Sequence, residues 1–111
     1  MNIDVREEGL VTVLTLEGDF VIGGSEQEFD RTVTRLLESG QLNLLIDLGS
    51  VRRLDSSALG AMVRALSWSQ KEGGVTKLVN VTLRTRQLLE ITKLGSVFEM
   101  FDDLERAISS F

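Results

Sequence analysis

The sequence predicts an α/β fold: a mostly parallel, mixed central sheet of about five strands with about four helices. Three observations predict it. Short apolar runs alternate along the 111 residues with amphipathic stretches of helical spacing. The densest run, residues 42–48, is aliphatic on both faces and is bounded by Gly40 and Gly49, as a central parallel strand is. Gly40, Gly73, Gly74 and Gly95 stand where the helical stretches stop, and proline is absent throughout. No shift in composition divides the chain, so residues 1–111 read as one domain.

Residues 3–6 and 11–16 are short strands joined by a turn at Glu8 and Gly9, and Gly18 breaks the second. Ser25 followed by Glu28 is a capping box, because each side chain can satisfy a free N–H at a helix start. Phe29, Val33, Leu36 and Leu37 then share one helical face, and Gly40 ends that helix. Residues 42–48 form the next strand. The helix that follows carries Leu59, Met62, Val63 and Leu66, widened by Ala58, Ala61, Ala65 and Trp68, and it stops at Gly73. A strand over 75–81 precedes a helix over 82–94, with Leu88, Ile91 and Leu94 inward and Gly95 at its end. A strand over 97–101 leads to Asp102 and Asp103, which cap a last helix facing inward with Leu104, Ala107, Ile108 and Phe111.

Composition narrows the function. The net charge is −5, and the twelve basic residues are scattered, with Arg52 and Arg53 the one adjacent pair. Nucleic-acid binding needs clustered cations on phosphates, so no nucleic-acid partner is expected. Histidine, cysteine and tyrosine are all absent. That removes the usual general base, the thiolate nucleophile and the commonest metal ligands. No Ser-x-x-Lys pair, nucleophile elbow or phosphate-binding loop stands in for them. The chain is expected not to be an enzyme and to hold no metal or cofactor. The start of the chain lacks a basic-then-apolar signal pattern, and no stretch is long enough to enter a membrane, so a cytoplasmic location is expected.

What remains is the run Leu54-Asp55-Ser56-Ser57-Ala58-Leu59-Gly60, which joins the central strand to an amphipathic helix. A helix start has unpartnered N–H groups and a mildly positive dipole end. Asp-Ser-Ser here is a good N-cap, and it is also a place where a phosphate would change which partner can dock.

This run, the apolar strand ending in Asp47-Leu48, the Gly18 position and the segment Leu88-Leu-Glu-Ile-Thr-Lys-Leu-Gly-Ser-Val-Phe98 together resemble the STAS domain of bacterial anti-sigma factor antagonists. The resemblance covers the whole chain. It implies a binding protein whose unphosphorylated form holds an anti-sigma factor with serine kinase activity and so frees a sigma factor. Phosphorylation of the serine after the motif aspartate ends the binding, and a serine phosphatase restores it. Carried over, the phosphoacceptor is Ser56, with Asp55 and Ser57 as its neighbours. The partner-binding surface then takes in Asp19, Phe20, Val21, Gly24, Ala58, Gly60 and Arg64, with Ser67 and Lys71 further along the same helix face. The family commonly has glycine at Ala58 and a carboxylate at Val21, so the loop beside the serine is more apolar here. That loop also suits a STAS-like accessory subunit docking constitutively on a cytoplasmic transporter ATPase. The chain is expected to be a monomer or a weak homodimer paired through its N-terminal edge strand.

Overall fold

The computed structural model describes residues 1–111. The strands are β1 (Asn2–Glu8), β2 (Val11–Phe20), β3 (Asn43–Leu54), β4 (Val75–Val79) and β5 (Met100–Phe101). The helices are α1 (Gly24–Glu38), α2 (Ser56–Lys71), α3 (Leu83–Ile91) and α4 (Leu104–Ser109). One sheet holds the strands in chain order. β1 runs antiparallel to β2, and every other pairing is parallel. The predicted element order and the central parallel place of residues 42–48 are therefore both found.

The side-chain alternation of β2, β3 and β4 feeds two cores. Leu14, Leu16, Leu44, Ile46, Leu48 and Leu78 lie on the face covered by α1, α2 and α3. Phe29, Val33, Leu36 and Leu37 of α1 meet them there, as do Leu59, Met62 and Leu66 of α2. Val11, Val13, Leu45 and Val79 lie on the other face under Ala107 of α4. Lys77 is buried on this second face. Its ammonium donates to the Ser110 carbonyl at 2.9 Å and lies 4.7 Å from the centre of the Phe111 ring. These contacts pin the end of α4 to β4. At the free edge, β1 carries Asp4, Arg6, Glu7 and Glu8, charges of the kind that discourage edge-to-edge pairing.

Five local readings need correction. Gly18 does not end β2: it adopts φ 109° beside a shift in the β2–β3 register, and the strand continues to Phe20. β3 is longer than 42–48 for the same reason. It takes up an extra residue at each of two bulges and so runs on to Leu54. Ser25 does not cap α1. The helix begins two residues earlier than a Ser25 cap would set, behind Gly23 at φ 109°, and the Ser25 hydroxyl turns back to the Val21 N–H (2.9 Å) and carbonyl (2.8 Å). In the last third, α3 ends at Ile91, not at Leu94, because Lys93 adopts φ 62° and Leu94 N–H donates to the Leu89 carbonyl. Leu89 is consequently the fully buried residue of α3, and Ile91 is 79% exposed. β5 shrinks to Met100–Phe101, with Val97 left partly exposed before it.

Of the glycines, Gly74 leaves the least room for a side chain. A Cβ placed there would fall inside the van der Waals envelope of the Leu42 carbonyl and Cβ. Gly74→Ala is expected to destabilise the fold by about 1–3 kcal/mol, since the obstacle includes backbone that anchors the central strand. A denaturant midpoint measured beside that of Gly73→Ala separates this clash from the loss of left-handed geometry at Gly73, which has open space around it.

Candidate functional site

The two bulges bend β3 so that its end lies against the end of β2, with Leu54 paired to Phe20. Asp55 then leaves the sheet in an extended conformation and caps α2. Its Oδ1 accepts from the Ser57 N–H (3.1 Å), the Ala58 N–H (3.2 Å) and the Ser57 hydroxyl (2.6 Å). Its Oδ2 accepts from the Ile22 N–H at 2.9 Å. One carboxylate thereby fixes both the helix start and the β2–α1 loop. Partial burial opposes its ionisation, but the Ser57 hydroxyl and then the backbone donors outweigh that and hold the carboxyl below its ordinary value.

A group whose folded-state pKa is depressed adds stability above the unfolded-state value and loses it as pH falls through the folded-state value. Asp55→Ala is expected to cost about 1–3 kcal/mol at neutral pH, from the lost cap and the stranded Ile22 donor. Urea unfolding at stepped pH checks it. The gap between variant and wild type narrows on acidification through the carboxylate range.

The two hydroxyls after Asp55 are not equivalent. Ser57 is half-buried and donates to Asp55, whereas Ser56 is exposed and its hydroxyl makes no hydrogen bond within the chain. The remaining surface candidates divide. Val21, Gly24 and Gly60 keep accessible surface near this helix start. Phe20 and Ala58 are withdrawn from the contact surface, because both are fully buried. Phe20 instead packs on Phe29 with ring centroids 4.9 Å apart, and its carbonyl receives the Asp55 N–H. Asp19 is paired with Arg53 at 3.2 Å and Arg52 at 3.6 Å. Arg64 is turned to α1, where it meets Asp30 at 2.8 Å and Glu26 at 3.4 Å, so its guanidinium is engaged inside the chain. Ser67 and Lys71 are exposed beyond it.

The loop from Asp19 to Gly24, read from the sequence as part of the interaction surface, holds one more exposed side chain. Ile22 stands 75% exposed in the loop that Asp55 holds. Its signal was the apolar triplet Phe20-Val21-Ile22, of which only the first residue turns inward. No three metal-binding side chains converge anywhere in the chain, and no helix is long and apolar enough to cross a membrane.

This arrangement has known counterparts. The family model described as the STAS domain matches residues 2–107. The chain belongs to the STAS domain family. The anti-sigma-B factor antagonist of Bacillus subtilis is 28% identical over 100 residues, which cover 90% of each chain. A Thermotoga neapolitana protein named as a TM1081 homologue is 31% identical over 72 residues, spanning 65% of this chain and 64% of that one. Among solved structures, the Thermotoga maritima protein TM1081 superposes with a TM-score of 0.91 at 22% identity, covering 97% of this chain and 92% of that one. The Bacillus protein SpoIIAA in its phosphorylated form superposes with a TM-score of 0.77 at 18% identity, covering 98% of both. At these identities the two structures speak for the STAS fold: the same mixed sheet of five strands with four helices.

Proposed function

We propose that this STAS domain is an anti-sigma factor antagonist. Its unphosphorylated form binds an anti-sigma factor with serine kinase activity, and phosphorylation of Ser56 switches the binding off. The observation that carries this reading is the contrast between the two hydroxyls. Ser56 presents a free, exposed hydroxyl, and Ser57 spends its own on the helix cap. A kinase that approaches α2 from solvent meets the first of these. The name of the B. subtilis relative supports the partner class.

The switch follows from electrostatics. A phosphoserine carries about −1.5 to −2 charges at neutral pH. All the Asp55 contacts are made without it, so the new charge has no structural gap to fill. A partner shaped to close over a neutral hydroxyl must instead bury that charge unpaired, which costs several kcal/mol. No rearrangement of this domain is required, and a serine phosphatase reverses the state. In this reading Asp19 and Arg64, held in internal ion pairs, shape the rim, and Val21, Gly24 and Gly60 meet the partner.

Three baits test the proposal in host lysate: wild type, Ser56→Ala and Ser56→Asp. An anti-sigma factor of the kinase type held by the first two and lost by the third is the expected result. A transporter ATPase held equally by all three would overturn it and assign constitutive docking.

A further inference from the structure

Beside the serine, Val21, Arg53, Leu54, Asp55 and Arg84 line an open groove of about 440 Å³. Two neighbours in sequence of these residues, Ile22 and Leu83, are 75% and 72% exposed. Aliphatic side chains this bare gain free energy when another surface covers them. Three charged side chains line the groove: Arg53, Asp55 and Arg84. Arg53 is neutralised by Asp19 at 3.2 Å, and the Asp55 carboxylate is fully occupied by its four donors. Arg84 is the one cation of the groove that makes no salt bridge, although the Asp55 carboxylate lines the same groove. It is the second residue of α3, whose first turn holds no acidic residue. A cation there opposes the helix dipole. Arg86, two residues on, reaches Asp102 at 3.6 Å. A charge that weakens its own helix and has no internal partner is placed for an external one.

We infer that Arg84 is a second contact on the docking surface, together with the exposed side chains next in sequence to the groove lining, Ile22 beside Val21 and Leu83 beside Arg84. Its occupant is a segment of the anti-sigma factor that presents a carboxylate flanked by apolar side chains. The inference rests on the antagonist reading and extends it from one serine to a surface that reaches α3. The carboxylate speeds and orients docking, the apolar side chains cover Ile22 and Leu83, and Ser56 then senses whether the closed contact is allowed.

The test titrates the purified host anti-sigma factor against wild type, Arg84→Gln, Arg84→Lys, Leu83→Ser and Ser56→Asp at two salt concentrations. Arg31→Gln, an exposed residue of α1 outside the groove, is the control. Arg84→Gln is expected to weaken binding at least about tenfold, the loss typical of a charge-assisted hydrogen bond, and to flatten its salt dependence. Arg84→Lys recovers part of the loss, since charge is kept and the bidentate fork is not. Leu83→Ser weakens binding without changing the salt dependence, and Arg31→Gln binds as wild type. The melting temperature of Arg84→Gln equals or exceeds that of wild type, which a purely structural arginine would not give. Wild-type affinity in Arg84→Gln, with Ser56→Asp still unable to bind, overturns this contact and leaves the antagonist reading intact. Equal binding by Ser56→Asp and wild type overturns the antagonist reading itself.

Discussion

Ser56→Asp is expected to lower affinity for the anti-sigma factor by about 100-fold or more, with no change in fold. A fixed carboxylate carries less charge than phosphate, yet burying it unpaired in a closed interface still costs several kcal/mol, and each 1.4 kcal/mol is tenfold in affinity. The fold is spared because the Ser56 side chain is exposed and bonds to nothing within the domain. Ser57→Asp makes an informative partner variant. It removes the 2.6 Å bond to Asp55 and sets a second carboxylate against it, so stability falls together with binding. Titration calorimetry and thermal melts on the same preparations separate the two. Position 56 moves affinity alone, and position 57 moves both.

Phe20→Ala is expected to be the most destabilising change near the site, at about 3–5 kcal/mol. Phe20 is fully buried, packs at a tilt against Phe29 of α1, and its carbonyl accepts from the Asp55 N–H. Truncation removes the support under the β2–α1 loop and opens a cavity between the sheet and α1. Against a typical stability of about 5–15 kcal/mol, this is a large fraction. Urea unfolding gives its size. Hydrogen exchange at Ile22, whose N–H is held by Asp55, shows whether the loop loosens before the domain unfolds as a whole.

These two residues also show what the sequence makes legible. Element order and the two faces of the central strand are written in short-range patterns. Leu44 and Ile46 turn to one core and Leu45 to the other, so the run is apolar throughout. The end of β3 is different. Its two bulges arise from pairing with β2 some thirty residues earlier, and nothing in Gly49-Ser50-Val51-Arg52-Arg53-Leu54 announces them. Phe20 looked like a loop residue because Gly18 looked like a strand end. Once the bulges carry β2 past Gly18, Phe20 becomes core.

The site was half legible. The run from Leu54 to Gly60 marks it, and Asp55 as a cap follows from residue type alone. The division of labour between Ser56 and Ser57 does not, since it depends on which rotamer meets the carboxylate. Arg64 read as a partner-binding residue because Glu26 and Asp30, which neutralise it, lie on another helix. Arg84 carried a signal that was there to be used: a basic residue in the first turn of a predicted helix with no acid nearby.

The central claim is that Ser56 is the residue that takes the phosphate. Intact-mass measurement after incubation with the host anti-sigma factor and ATP tests it most directly, on wild type, Ser56→Ala and Ser57→Ala. One phosphate on wild type and on Ser57→Ala, and none on Ser56→Ala, is the expected outcome. A phosphate retained on Ser56→Ala, or wild type left unmodified by a kinase that binds it, would contradict it.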